Sequence, residues 1–196
     1  VATLVTRRTL GVGILRIMQG YADAHIVEPT GHNDGPQIHR FQALLDLREG
    51  TVTEEGDPYC AAAVVYAACK ELCYRHGLDT TPENLKAMLP ELRAQHFVPS
   101  AYVPDIWADA IRRDTFIPVA RRQMAQPGDL LLMEFRIPRR GRPQHVGVLK
   151  AEGTLRAATV EANTSPDNIG SQSEGQGIYA KLRWYNCILG FVALRG

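Results

Sequence analysis

Neither sign of charge dominates this sequence: 22 basic residues stand against 21 acidic ones, for a formal net charge of +1. That balance removes any global electrostatic reason to expect nucleic acid as a partner. No CxxC occurs among its four cysteines, Cys60, Cys69, Cys73 and Cys187, so there is no zinc pattern. Cys69 and Cys73 are four apart on a predicted helix, sharing a face but poorly directed for a disulfide. With Cys187 they read as small buried hydrophobes. A long apolar run is also lacking. The longest, residues 61–69, is far shorter than the ~20 residues a bilayer requires, so no membrane span is expected. No signal peptide is evident either, because residues 1–18 have no clean apolar core and no small-residue cleavage site. Internal repeats and long low-complexity linkers are missing too. Redox compartment and localisation stay open at this level.

What is present suits a single globular domain. A chain of 196 residues can bury roughly 70% of its unfolded surface, so it needs neither a disulfide nor a metal to hold a core. Apolar residues make up 45% and charged residues 22%, both ordinary for a globular protein. Helical periodicity marks residues 12–24, a stripe of Ile38, Phe41, Leu44 and Leu45, and residues 59–76, with Gly77 placed to end the last. Asp34 is expected to cap the second of these, with Pro36 in its first turn. Residues 81–89 and 102–113 read as further helices. After residue 115 the period changes to that of strands, at 130–135, 144–150, 157–162, 177–183 and 187–194. Helices first and strands second indicate an α+β domain, with N-terminal helices packed on a C-terminal antiparallel sheet. The expected organisation is one domain over 1–196, with 1–27 as an N-terminal helical extension. The glycine-rich stretch 168–177 reads as a loop. Arg136, Arg139, Arg140 and Arg142 crowd a Pro/Gly-rich stretch, either a solvated loop or a contact for an anionic substrate or partner.

A thiol is a nucleophile only as thiolate, and a helix N-terminus favours that anion. Asp57-Pro58-Tyr59-Cys60, followed by an Ala/Val-rich helix, puts Cys60 in that position. His145 opens the apolar run His145-Val-Gly-Val-Leu149 and can serve as its base. Gly147, on the same face, would let another group come close. Glu161 and Asn163 end a strand two residues apart, and either could accept the imidazole N–H. Each residue alone has an equally plain structural reading: a core cysteine, a strand-end histidine, a polar strand face.

In combination they follow the chain order of papain-like enzymes. The segment Gly56-Asp57-Pro58-Tyr59-Cys60-Ala61-Ala62-Ala63-Val64 resembles the nucleophile block of CHAP-type amidases. Pro127-Gly128-Asp129-Leu130-Leu131 is similar to their PGD-plus-strand block, and His145-Val-Gly-Val148 to their histidine block. Val160-Glu161-Ala162-Asn163-Thr164 resembles their V-E-G-N-T segment, and Ser173 to Ile178 a segment that follows in some members. Upstream, Glu28, Gly31, Asn33 and Gly35 resemble the ExxGxNxG pattern of a bacterial subgroup. Together the blocks span most of residues 28–194.

The resemblance implies a papain-like fold of the NlpC and CHAP superfamily. It implies a cysteine peptidase or amidase acting on peptide or amide bonds of bacterial peptidoglycan, expected to be monomeric, with no cofactor and no metal. A wall substrate would favour a secreted or periplasmic setting. Carried over, Cys60 is the nucleophile, His145 the general base and later acid, and Glu161 or Asn163 the orienting residue. The sequence departs from the family at Tyr59, where Trp is usual, at Ala63, where Phe is usual, and at Ala162, where Gly is usual. Glu54 and Glu55 stand where papain relatives carry an oxyanion-hole Gln. Candidate oxyanion or substrate contacts are then the Cys60 backbone N–H, Asn33 and Tyr59. Two other readings remain: a catalytically silent wall- or partner-binding module, and an acyltransferase or deamidase on the same scaffold.

Overall fold

The computed structural model describes residues 9–136, 139–166 and 175–194. Among them, six α-helices come first: α1 (Leu10–Asp23), α2 (Pro36–Leu44), α3 (Cys60–Arg75), α4 (Pro82–Ala87), α5 (Leu89–Gln95) and α6 (Val103–Arg112). Strands β1 (Phe116–Pro118), β2 (Leu130–Met133), β3 (His145–Glu152), β4 (Arg156–Thr164), β5 (Gly177–Trp184) and β6 (Ile188–Val192) follow. They build one antiparallel sheet in the order β1-β6-β2-β3-β4-β5. The fold is therefore α+β. No helix among the described residues is long and apolar enough to cross a membrane.

Helix α3 is the hub. Thirteen of its sixteen residues are buried, so it has almost no solvent face. It packs on α1 and α2 and against β3 and β4. Ala61, Ala62 and Ala63, all fully buried, keep the helix slim where its first turn meets the sheet. Val64, Val65 and Leu72 fill the space beyond, each worth about 1.5–3 kcal/mol of burial. Strand alternation then splits the sheet. Val146, Val148, Val160, Ala162 and Ile178 join the helix-side core, while Leu131, Met133 and Leu149 form a second cluster with Phe191.

Several expectations change. Residues 10–23, expected within an N-terminal extension, pack into the main core, where Leu10, Ile14 and Met18 are fully buried. Helix α1 starts against the turn before β2. A Cβ on Gly11 would lie 2.8 Å from the Gly128 carbonyl oxygen, so the contact requires two glycines. Asp34 does not cap α2. Its Oδ1 accepts from the Thr30 N–H at 3.2 Å, and the cap position falls to Gly35 at φ 115°. The helix expected through residue 89 ends at Ala87, and Pro90, in the first turn of α5, restarts it. The three-residue β1 is too short to leave a period in the sequence. The loop expected at 168–177 lies, up to residue 174, outside the described residues.

Candidate active site

Cys60 is the first residue of α3. The chain leading into it is fixed by a polar frame. Asn33 donates through Nδ2 to the Gly56 carbonyl at 2.9 Å and to Glu55 Oε1 at 2.7 Å. Gln42 donates to the carbonyls of Asn33 (3.1 Å) and Asp57 (2.8 Å). Glu28 accepts from the Asn33 N–H at 2.9 Å and from the Tyr59 hydroxyl at 3.0 Å. Asn33 sits at φ 56°, a left-handed conformation that asparagine tolerates better than most residues. Both side-chain N–H groups of Asn33 and the one proton of Tyr59 are thus engaged inside the protein. The structure places these two residues as supports of the approach to Cys60, not as donors facing it.

The first turn of α3 has no acidic residue and no side-chain cap, so its backbone N–H groups stay available. Burial alone would push the Cys60 thiol up. The charge and hydrogen bond of His145, with the backbone N–H groups of Val146 and Ala61, outweigh burial and hold the thiol below its ordinary range. The other three cysteines go the opposite way. Burial raises Cys69 to about 12 and also raises Cys73 and Cys187.

His145 opens β3 and is 1% exposed. One ring nitrogen, Nε2, lies 3.1 Å from Glu161 Oε2, which leaves Nδ1 for Cys60. Burial works against a charged imidazole, yet Cys60 and then Glu161 raise His145 to about 9. Both shifts run in the direction that favours a thiolate beside an imidazolium.

Glu161 reaches the imidazole because Gly147, its partner across the β3–β4 ladder, has no side chain. A Cβ there would lie 2.6 Å from Glu161 Cγ. Glu161 is fully buried and tightly held. Its Oε1 accepts from Thr159 Oγ1 (2.5 Å) and Arg183 Nε (2.8 Å), and its Oε2 from the Arg183 terminal nitrogen (2.5 Å). Burial pushes this carboxyl up, but the hydrogen bonds from Arg183 and then His145 bring it down to about 2. Arg183 also donates to Thr164 Oγ1 at 3.0 Å and lies 5.0 Å over the Phe135 ring, which itself neighbours the His145 ring at 5.8 Å. Cys60, His145, Glu161 and Arg183 thus form one continuous line of polar contacts.

Asn163 is not in that line. A β-bulge between Ala162 and Thr164 breaks the alternation, and Asn163 adopts φ 54°. Its Oδ1 is shielded, with no partner among the described residues. Of the two orienting candidates the structure brings only Glu161 to His145. Sequence reasoning did not reach Arg183, Thr159 or Gln42. For Arg183 a signal existed: on β5 the polar Lys181 and Arg183 are buried, whereas Leu182 and Trp184 point outward at 51% and 47% exposure. Two long cations in step on one strand face mark a polar interior.

Cys60 borders a cleft of about 400 Å³, lined also by Pro58, Tyr102, Val103, Arg136 and Arg142. No group of three or more His, Cys, Asp or Glu able to hold a metal occurs among the described residues. Asp57 Oδ2 instead accepts from the Arg48 N–H at 2.9 Å. The arrangement sets a thiol of lowered pKa beside a buried imidazole at the edge of a groove. The chain matches no protein-family model, no curated protein and no solved structure, so the chemistry of this site rests on the geometry of its own residues.

Proposed function

We propose that the chain is a papain-like cysteine hydrolase of amide bonds, with peptide bonds of bacterial peptidoglycan as the substrate class. One observation carries the reading. Of four cysteines, Cys60 alone has its thiol lowered, and it alone faces an imidazole that a buried carboxylate orients. Placing Glu161 and Arg183 in the interior costs several kcal/mol per ion before pairing. Orientation of His145 is the use this reading gives to that cost.

In the proposed reaction the Cys60 thiolate attacks the substrate carbonyl carbon, and the carbonyl oxygen takes up negative charge. The backbone N–H of Cys60 is the donor this reading assigns to that charge, since at the first position of α3 no preceding helical turn supplies it an acceptor. The tetrahedral species collapses as the imidazolium of His145 protonates the departing amine. Neutral His145 then takes a proton from water, which attacks the thioester and releases the acid and the thiolate. Glu161 keeps the ring oriented through both proton transfers, and Arg183 keeps Glu161 ionised.

Alkylation with iodoacetamide at mildly acidic pH tests the site. Cys60 is expected to react far faster than Cys69, Cys73 or Cys187, as read by peptide mass spectrometry. Equal, slow labelling of all four would defeat the reading. Digestion of purified peptidoglycan tests the substrate. Release of soluble fragments by wild type and none by Cys60→Ala supports a wall hydrolase. An activated Cys60 that releases nothing from any wall type would point to another acyl substrate.

A further inference from the structure

The cleft beside Cys60 has one strongly charged wall. The segment from Glu134 to Arg142 carries four arginines and a single acid. Glu134 is 1% exposed and serves as the internal anchor of the loop. It accepts from the backbone N–H groups of Arg140 (2.9 Å), Gly141 (2.8 Å) and Arg142 (3.3 Å) and pairs with Arg136 at 3.0 Å. Arg136 in turn donates to the Arg142 carbonyl at 2.6 Å. These bonds tie residues 134 and 136 to residues 140–142, and the two cleft-lining arginines are among the residues so tied.

Their remaining donors point to a ligand. Arg136 Nε is shielded from solvent and has no acceptor among the described residues. A buried guanidinium N–H without an acceptor is costly, and native structures rarely leave one idle. Arg142 donates to the Tyr102 hydroxyl at 2.5 Å and lies 5.4 Å over that ring, so its partner is a neutral phenol. Tyr102 is itself half exposed. The one acid on the cleft lining, Asp57, is already bound to Arg48. A groove lined by two arginines and no free acid suits a carboxylate, which guanidinium groups bind through paired charge-assisted hydrogen bonds.

We propose that the cleft recognises a carboxylate on the amide substrate, held by Arg136 and Arg142 beside Cys60. This rests on the hydrolase reading and narrows it to peptides that carry a free carboxyl close to the bond cleaved. The carboxylate replaces the Tyr102 hydroxyl on Arg142, beside the guanidinium of Arg136 on the same wall. Tyr102 then swings clear while its ring still borders the groove.

Matched anionic and neutral thiol reagents test the proposal without a known substrate. The pairs are iodoacetate with iodoacetamide, and the longer N-maleoyl-β-alanine with N-ethylmaleimide. For each pair the quantity read is the anionic-to-neutral rate ratio at Cys60, divided by the same ratio for a small free thiol. At low salt the wild-type value for at least one pair is expected to exceed unity by on the order of tenfold and to shrink as salt rises. Arg142→Gln is expected to lose most of that excess, and Arg142→Lys, which keeps the charge, to retain part of it. Arg139→Gln, in the same loop but off the cleft, is expected to keep the wild-type ratio. A wild-type value at or below unity for both pairs, or an Arg142→Gln value equal to wild type, would overturn the proposal. Uniformly slow labelling of Cys60 by all four reagents would count against the hydrolase reading instead, and the ratio would still be read.

Discussion

Replacing Arg183 by Met keeps much of the side-chain volume and removes the charge. Arg183 is 5% exposed and supplies two of the four hydrogen bonds that Glu161 accepts among the described residues, at 2.8 and 2.5 Å; Thr159 and His145 supply the others. Removing one partner of a buried pair costs about 3–5 kcal/mol, because the other charge is left behind. For a chain of this size each kcal/mol lowers Tm by about 2–4 °C, so thermal unfolding should move down by about 6–20 °C. The chemistry should respond with it. Glu161, no longer held near 2, rises toward the neutral acid and ceases to be a strong acceptor for His145. His145 then falls from about 9, and the Cys60 thiol loses the charge that holds it down. Each unit by which the thiol rises removes about nine-tenths of the thiolate below that pKa. Iodoacetamide alkylation of Cys60 near pH 6 should therefore slow by about tenfold or more, with its pH profile displaced upward. The double variant Arg183→Met/Glu161→Gln removes the stranded charge and should regain much of the stability without regaining the rate. A single variant with wild-type Tm, or one whose alkylation profile superimposes on wild type, would refute the charge relay from Arg183 to Cys60.

Gly147→Ala sets a Cβ against Glu161 Cγ; it should cost about 1–3 kcal/mol in denaturant unfolding and displace Glu161 from His145, so that Cys60 alkylation slows without any polar group having been removed. Glu161→Gln should reduce turnover of a cleavable peptide by about two orders of magnitude or more, whereas Asn163→Ala should leave the pH profile of Cys60 alkylation in place. Equal effects of the two would contradict the observed pairing. The Glu161 carboxyl is depressed in the fold, so the stability it contributes is present above the ordinary value of 4.5 and is lost as pH falls toward about 2. The Tm gap between wild type and Glu161→Gln should accordingly narrow over that window, and a gap independent of pH would show that the carboxylate charge is not what is held. Tyr59→Phe should destabilise by about 1–2 kcal/mol through the loss of its bond to buried Glu28 and leave iodoacetamide labelling of Cys60 close to wild type; a collapse of labelling would return Tyr59 to the chemistry.

Much of the fold was legible because its periods are strong. The Ala/Val run after Tyr59 can only be a buried helix, and the alternation around Val146 and Val160 can only be a sheet. Cys60 and His145 stood out by their positions at the starts of such elements and by their order along the chain. Choosing between Glu161 and Asn163 was beyond the sequence, because parity assumes an unbroken strand and the bulge at Asn163 breaks it. Arg183 was missed for a related reason: strands are read by placing Leu and Trp inside, and β5 does the reverse. Asn33 and Tyr59 were assigned to the substrate because a polar residue near a nucleophile looks available. Only their partners, Glu55, Gly56 and Glu28, show that their donors are engaged. Such pairings join residues 22 to 31 positions apart and leave no local trace.

The burial of α3 has a consequence for timing. From Cys60 to Cys73 nearly every side chain is inside the core, so Cys60 belongs to the segment whose amide protons should exchange last, close to the limit set by global unfolding. Facing it across the groove, Tyr102 and Arg142 stand in solvent and need break only a few bonds to shift. The two walls therefore keep different clocks. Any adjustment to an incoming chain has to come from the arginine side, while the sulfur waits in a fixed place.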